Sequence, residues 1–295
     1  MRKIDSTLVR TPGLAHVWGG LVDHVPRVAE PLLSGLFMTP LRKVKRVPRT
    51  ERLLGYCESR GRRIAVRGCG EGPVVLLVHG WQGHMGQFSE MREQLVSSGY
   101  CVVGCDMPAH GESRGRTTSI VEFSQVIADV AQLVGPVSAV VAHSLGGTAL
   151  SLALSRGLEV GGGVIVAPLI SFDYALDEFS KVLGLNAQAR ELTARATERR
   201  VGIKRAELDL LHFRRPHPRL LIIHDRDDQR TRAADSVELS QRWGCPMIET
   251  QGLGHSRILS DRYVLEQIRG FVDQLPRPNS SDLETHLSGL PLFQF

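Results

Sequence analysis

Residues Val140–Leu150, with the sequence Val-Val-Ala-His-Ser-Leu-Gly-Gly-Thr-Ala-Leu, decide the fold of this chain. An apolar β-type run enters the segment and a helix-type pattern leaves it, which predicts a strand, a sharp turn and a helix. Small residues, Ala142 and Gly146, stand two positions before and after Ser144. A turn tight enough to lift a side chain clear of the backbone leaves room only for Gly or Ala there. We therefore expect the Ser144 hydroxyl to stand free at the end of a strand, beside a helix N-terminus that favours negative charge.

The stretch resembles the nucleophile elbow of the α/β-hydrolases, with Ala142 in the first small position where Gly is usual. The resemblance implies that Ser144 is a nucleophile and that the backbone amide of Leu145 is one donor to an oxyanion. The pattern alone is also compatible with an ordinary strand-to-helix turn, so the family assignment depends on the rest of the chain.

Composition places the chain among ordinary globular proteins. Its 295 residues suffice for one large α/β domain with additions, and 42% are hydrophobic and 23% charged. The sequence contains no apolar run of about 18 residues and no apolar segment typical of a secretory signal, so neither a membrane span nor secretion is expected. The five cysteines are widely scattered. We expect reduced thiols and a cytoplasmic protein, with membrane association as the alternative.

Residues 1–50 are predicted to form an N-terminal arm of two or three short helices, because Pro26 and Pro31 interrupt its pattern. The apolar residues that recur at helical spacing are Leu14, Val17, Trp18, Leu21, Val22, Val25, Val28, Ala29, Leu32, Leu33, Leu36 and Phe37. The simplest interpretation is that this face packs on the body of the protein as a brace.

The charge of the chain suggests a second interpretation of the arm. Leu41–Arg67 carries ten Lys/Arg and two Asp/Glu, a net +8, although the whole chain carries only +5. An apolar stripe followed by basic residues suits a peripheral contact with an anionic membrane, or a homodimer, through residues 14–49. No nucleic-acid partner is expected, because the basic stretch lacks interleaved aromatic residues and any known binding motif.

Residues 51–275 are predicted to form the α/β-hydrolase domain, a mostly parallel sheet with helices on both faces, followed by a loosely ordered tail over 276–295. The predicted strands are Arg52–Cys57, Arg62–Arg67, Val74–Val78, Tyr100–Cys105, Ala139–Ala142, Gly163–Ala167, Leu220–His224 and Met247–Thr250. The predicted helices of the domain, apart from the one after Ser144, are Met85–Ser98, Ser119–Leu133, Ala233–Trp243 and Asp261–Gln274.

Two further turns support the family resemblance. His79-Gly80-Trp81-Gln82-Gly83 resembles the His-Gly-x-x-Gly turn of α/β-hydrolases, which implies that the amide of Trp81 is the second oxyanion donor. Residues 106–113 resemble the Asp-x-Pro-x-His-Gly-x-Ser loop of the family. We interpret this loop as structural, with Asp106 holding it and His110 not acting as a catalytic base. His143 shares the elbow with the serine and is not expected to act as the base either.

The candidate acid and base follow later in the chain. His224-Asp225-Arg226-Asp227-Asp228 resembles the His-Gly-x-x-Asp turn of the family, with Asp225 where Gly is usual. Counting along the turn gives Asp228 as the acid, with the adjacent Asp227 as runner-up; Asp173 is a weaker candidate, at a position used by some relatives. Gly252-Leu253-Gly254-His255 resembles the Gly-x-Gly-His turn that carries the family's base, His255. The order of serine, acid and histidine is that of the α/β-hydrolases.

The helical insertion at residues 170–218 occupies the position of the family's lid, which would set substrate specificity. The expected function is a serine hydrolase that cleaves carboxylic esters of small or lipid-like substrates through an acyl-enzyme. Thioester, amide or carbon–carbon hydrolysis uses the same residues, and a non-catalytic binding protein is the remaining alternative. No cofactor or metal is expected, because His79 and His84 have no partners at zinc-binding spacing.

Overall fold

The computed structural model of the protein describes residues 12–41 and 52–277, with the side chains of residues 12–17 left out. The strands are β1 Arg52–Ser59, β2 Arg62–Cys69, β3 Val74–Val78, β4 Cys101–Cys105, β5 Val137–His143, β6 Gly163–Val166, β7 Leu220–Asp225 and β8 Met247–Thr250. The helices are α1 Pro12–His24, α2 Pro26–Phe37, α3 Ser89–Ser97, α4 Ile120–Val134, α5 Leu145–Ser155, α6 Phe172–Leu183, α7 Ala187–Val201, α8 Ala233–Trp243, α9 Gly254–Arg257 and α10 Arg262–Asp273.

The eight strands form one sheet in the order β1-β2-β4-β3-β5-β6-β7-β8. The hairpin β1–β2 is antiparallel and β2 pairs antiparallel with β4, whereas every other neighbouring pair is parallel. The predicted mostly parallel α/β sheet is therefore confirmed. Because parallel strands end at the same edge, the segments that follow β3 to β8 are brought to one side of the sheet.

Both faces of the sheet are covered by apolar side chains. Val74, Leu76 and Val78 point into one core cluster, which includes residues of α4, α5 and α8. Val75 and Leu77 point into the other, which includes residues of α3 and α10. Alternate residues of a strand face opposite sides, so a continuous apolar run such as β3 marks a strand buried on both faces.

The chain divides into two compact units. One contains the described part of Met1–Thr39 together with Ser171–Asp209, and the other contains Pro40–Ile170 and the described part of Leu210–Phe295. In the first unit, Ala29 and Leu33 of α2 are fully buried against Ala189 of α7. The ring of Phe37 meets those of Phe172 and Phe179 edge to face at 5.5 and 5.1 Å between centroids. The packed face of the arm thus lies on the insertion helices.

Two helical segments differ in detail from the sequence-based expectation. The predicted helix Met85–Ser98 begins as a 3₁₀ turn, Met85–Phe88, whose first amide donates to Asp106 Oδ1 at 3.1 Å. Pro31 lies inside α2 without ending it, whereas the two helices of the described arm agree with the predicted two or three. Arg42–Arg49 and nearly all of the predicted tail lie outside the described residues.

The elbow depends on close approach between α5 and β3. A Cβ atom on Gly146 would lie 2.7 Å from the carbonyl oxygen of His79 and 2.8 Å from that of Val78. Real Cβ atoms do not come this close to backbone, so one of the two elements would have to move.

We expect Gly146→Ala to lower the melting temperature by about 3–10 °C, because overpacking of this kind costs about 1–3 kcal/mol. Gly270→Ala in α10 is the matched control, since its Cβ would meet no atom within 4 Å. That control replaces a helical glycine and should be stabilising by about 0.5–1 kcal/mol. Thermal unfolding followed by circular dichroism measures both; equal melting temperatures for the two variants would contradict the steric account of the elbow.

Candidate active site

Ser144 stands at the sharp turn between β5 and α5. Its backbone has φ 55° and ψ −125°, a conformation that is strained for a residue with a side chain. The turn is held at both ends, because the Ser144 amide donates to Val166 O at 2.9 Å and its carbonyl accepts from Gly147 N at 2.9 Å. A Cβ atom on Gly80 would lie 2.6 Å from Ser144 Cβ. Gly80 and Gly146 therefore have no room for a side chain, because the serine turn and the end of β3 lie in close contact.

His255 and Asp228 form a close pair. His255 Nδ1 lies 2.7 Å from Asp228 Oδ2, and the carboxylate is fully buried. The other oxygen, Oδ1, accepts from the backbone amides of Arg230 at 2.7 Å and Thr231 at 3.2 Å. Burial raises the pKa of Asp228, but hydrogen bonds from His224 and His255 outweigh it, and the net pKa is lowered. The carboxylate is therefore ionised at neutral pH and can hold the imidazole of His255 with its Nδ1 protonated.

The other two acid candidates have different partners. The exposed Asp227 uses Oδ2 to accept from Gly252 N at 2.9 Å. Asp173 lies in α6, where it pairs with Arg190 at 3.0 Å and Arg205 at 3.5 Å. Only Asp228 of the three is hydrogen-bonded to His255 among the described residues.

His143 connects the Ser144 turn with His255. Its Nε2 donates to the backbone carbonyl of His255 at 2.9 Å, and the two rings lie 4.5 Å apart. Its Nδ1 accepts from the Gln87 side chain at 3.3 Å. Burial and the nearby His255 lower the pKa of His143 to about 3, so the ring stays neutral. Within the described residues Ser144 Oγ and His255 share no hydrogen bond; such bonds are often long before substrate binds.

The two predicted oxyanion donors lie beside the serine. Leu145 is the first residue of α5, so no carbonyl of its own helix is available to its amide. On the other side, a Cβ atom on Gly80 would come within 3.2 Å of Ser144 Oγ, so the turn containing Trp81 passes next to the hydroxyl. The amide of Gln82 is already used, since it donates to His110 Nε2 at 2.9 Å.

Two buried histidines, His79 and His110, brace this turn reciprocally. His79, which follows β3, accepts through Nε2 from the amide of Met107 at 2.9 Å. His110, in the loop after β4, accepts from the amide of Gln82 and uses Nδ1 to donate to Pro108 O at 3.0 Å. Burial lowers the pKa of His79, which keeps it a neutral acceptor. The sequence identified both motifs. It could not show that His79 binds the loop containing His110, or that His110 binds the turn after His79.

Sequence reasoning also missed two buried residues at the end of β7. His224 Nε2 lies 3.3 Å from Asp228 Oδ2, and its Nδ1 accepts from the Ser236 hydroxyl at 2.6 Å. Asp225 turns its carboxylate to the segment that carries His255, where it accepts from Leu253 N and Gly254 N at 3.0 and 2.8 Å. For Asp225, the sequence offered one signal of this role: it occupies a turn position where the family usually has glycine.

The part of the chain that the structure describes, residues 12–41 and 52–277, fits neither a metal centre nor a membrane span. In these ranges no group of three or more His, Cys, Asp and Glu side chains could hold a metal ion. Over the same ranges, each helix is too short or too polar to cross a bilayer.

Comparison with known proteins gives a family and a fold. The family described as "Serine aminopeptidase, S33" matches residues 72–237, which include Ser144 and Asp228 but not His255. A pimeloyl-[acyl-carrier protein] methyl ester esterase from Chromobacterium violaceum is 39% identical over 80 residues. That match covers 26% of this chain, and the chain spans only 30% of the length of this curated relative.

Solved structures resemble the fold over most of the chain. An esterase from Pyrococcus furiosus is 17% identical with a TM-score of 0.63, covering 80% of this chain and 99% of that one. A membrane phospholipase A described as a bacterial virulence factor is 17% identical with a TM-score of 0.57, covering 89% of this chain and 93% of that one. The sheet order and the family match together confirm the predicted resemblance: this chain belongs to the α/β-hydrolase family described as serine aminopeptidase S33, a family of hydrolases.

Proposed function

We propose that the protein is a serine hydrolase that cleaves carboxylic esters through an acyl-enzyme on Ser144. The observation that carries this proposal is the 2.7 Å contact between His255 Nδ1 and the buried Asp228, at the same sheet edge as a serine with φ 55°. The strained backbone of the serine costs free energy, and such strain clusters at active sites. A histidine oriented by a carboxylate at the same sheet edge is the group that activates a serine nucleophile. The intact set of residues also argues against a non-catalytic binding protein on this scaffold.

In the proposed reaction, His255 Nε2 accepts the proton of the Ser144 hydroxyl as Oγ bonds to the ester carbonyl carbon. The amides of Trp81 and Leu145 stabilise the negative charge that develops on the carbonyl oxygen. His255 then returns the proton to the leaving alkoxide as the carbon–oxygen bond breaks. In the second half, His255 takes a proton from the water that attacks the acyl-enzyme and returns it to Ser144 Oγ as the acid is released. Asp228 keeps the required tautomer and stabilises the transient imidazolium.

The substrate class is argued from the relatives and the insertion. The curated relative described as a pimeloyl-[acyl-carrier protein] methyl ester esterase supports an ester with an acyl chain and a small alcohol. Residues 170–218 are proposed to act as the lid that selects the acyl and alcohol groups. Thioester, amide and carbon–carbon hydrolysis remain the alternative reactions, because the leaving group is chosen by the lid and not by the triad.

We further propose that α2 binds an anionic membrane surface. Val25, Val28, Leu32 and Leu36 recur at helical spacing and are 42–55% exposed, on the side of α2 next to its packed residues Ala29 and Leu33. The sequence that follows holds five Lys/Arg and no Asp/Glu over residues 42–49. Lipid phosphates attract such a basic run. A symmetric homodimer through residues 14–49 would instead bring two basic runs together, and their like charges would repel.

A fluorophosphonate probe tests the nucleophile. The wild-type protein should be labelled on one serine, and Ser144→Ala should lose the label because it removes the attacking oxygen. Leu145 and the rest of α5 remain in the variant, so its fold should be retained. Labelling is read by mass spectrometry, followed by turnover of p-nitrophenyl esters of increasing acyl length. An unlabelled wild type would refute the serine-hydrolase proposal. Equal labelling of both proteins would refute the assignment of Ser144 as the nucleophile.

The lowered pKa of Asp228 predicts a pH-dependent contribution to stability. A carboxylate whose pKa is lowered in the folded state stabilises the fold at pH values above its unfolded pKa of about 3.9. This contribution is lost as the pH falls from there through the folded pKa. The difference in unfolding free energy between wild type and Asp228→Asn should therefore be largest near neutral pH and shrink below about pH 4. Urea unfolding from pH 3 to 7 measures it, with Asp227→Asn as control. A difference that is independent of pH would contradict the ionised pair.

Vesicle sedimentation tests the membrane surface. The protein should bind vesicles containing phosphatidylglycerol, and Val28→Glu with Leu32→Glu should reduce binding by at least about 10-fold, since two apolar contacts are replaced by charge. Val182→Glu is the matched control, because Val182 is an exposed aliphatic residue on α6. Absence of vesicle binding would contradict the proposal. A dimer in solution that the double variant abolishes would assign the face to a second copy.

A further inference from the structure

The segments carrying the proposed acid and base meet at one buried carboxylate. Asp225 ends β7 and is fully buried. Its Oδ1 accepts from Asp227 N at 3.0 Å and Gly254 N at 2.8 Å. Its Oδ2 accepts from Thr250 Oγ1 at 2.8 Å and Leu253 N at 3.0 Å. Four donors thus converge on two oxygens.

The donors come from both sides of the proposed acid–base pair. Thr250, Leu253 and Gly254 belong to the end of β8 and the turn directly before His255. On its own side, Asp225 accepts at its backbone carbonyl from the amide of Asp228 at 3.1 Å. One residue therefore fixes the backbone from which each partner of the 2.7 Å contact projects.

The ionised form of this side chain is the one that fits. Burial raises the pKa of Asp225, but the amides of Gly254 and Leu253 favour the carboxylate, and the net pKa is lowered. An asparagine has the same shape but one acceptor oxygen fewer. Its NH₂ group would face either the Leu253 amide or the amides of Asp227 and Gly254, and backbone amides cannot turn round to accept.

We propose that Asp225 is a positioning residue of the active site: it holds the His255 turn against the Asp228 turn, and so sets the alignment of the base. The kinetic part of this proposal rests on the proposed ester hydrolysis. Misplacement of a catalytic group by about 1 Å can cost about 100-fold in rate. The loss of Asp225 should therefore act on the chemical step and leave substrate affinity unchanged.

Asp227 provides a matched control in the same turn. It is exposed, and among the described residues its side chain accepts one hydrogen bond, from Gly252 N, which the amide oxygen of an asparagine can also accept. Asp227→Asn makes the same chemical change as Asp225→Asn, two residues away, and removes the same formal charge. The two variants therefore separate alignment from the loss of negative charge near His255.

The experiment compares the kinetics of wild type, Asp225→Asn and Asp227→Asn on one p-nitrophenyl ester. Thermal unfolding measures the folded fraction of each protein, to which kcat is normalised. Asp225→Asn should lower kcat about 100-fold with KM within about twofold, and Asp227→Asn should stay within about twofold of wild type in both. Proton NMR adds a readout that needs no turnover. The low-field signal of the His255 Nδ1 proton, hydrogen-bonded to Asp228, should weaken or move upfield in Asp225→Asn only.

The outcomes separate this proposal from the proposed function. If the wild type does not hydrolyse esters, the NMR signal alone decides, and an unchanged signal in Asp225→Asn overturns the proposal. Equal kcat in the two variants, or a loss in Asp225→Asn that only follows the folded fraction, also overturns it. If Asp225→Asn does not fold, Thr250→Val removes one of the four bonds. It should lower kcat about 3- to 10-fold with KM unchanged, and an unchanged kcat overturns the proposal.

Discussion

The candidate active site depends on one constraint: Ser144 is held at φ 55° between a fully buried strand and a helix. This conformation persists only because neighbouring backbone packs against it from two sides. Gly146 allows α5 to lie against the end of β3, and Gly80 allows the following turn to pass beside the serine. The same contacts that force the strained turn bring the amides proposed to bind an oxyanion next to the proposed nucleophile.

Much of the fold was predictable, because inner strands such as β3 are continuous apolar runs, although the edge strand β8, Met-Ile-Glu-Thr, is not. Val74–Val78 and Met247–Thr250 were predicted to the residue, and the strand before Ser144 was identified but placed two residues too late at its start and one too early at its end. Periodicity could not reveal which surface the arm packs on. The arm's apolar stripe is wide enough to supply both the face buried on α7 and an exposed row, and only the three-dimensional arrangement distinguishes the two.

Site residues were predictable from sequence where their position in a short motif identifies them. Residues whose side chains hydrogen-bond to a turn that is distant in sequence were not predictable. Ser144 and His255 follow from short motifs at strand ends. Counting along the turn favours Asp228 over the adjacent Asp227, and the structure adds a difference in direction: the Asp227 carboxylate points to Gly252 N and that of Asp228 to His255. Asp225, His79 and His110 act through backbone amides that are distant in sequence, and no spacing rule encodes these contacts.

Neutral and charged groups are separated around the site by burial and hydrogen bonding. His79 and His143 are kept neutral, whereas Asp225 and Asp228 are kept ionised by amide and histidine donors. This arrangement suits the role of base that we propose for His255. The most direct test is to quench the protein during turnover of a p-nitrophenyl ester and to locate the acyl group by peptide mass spectrometry. We predict an acyl adduct on the peptide that contains Ser144; product formation with the adduct on another residue would contradict this account.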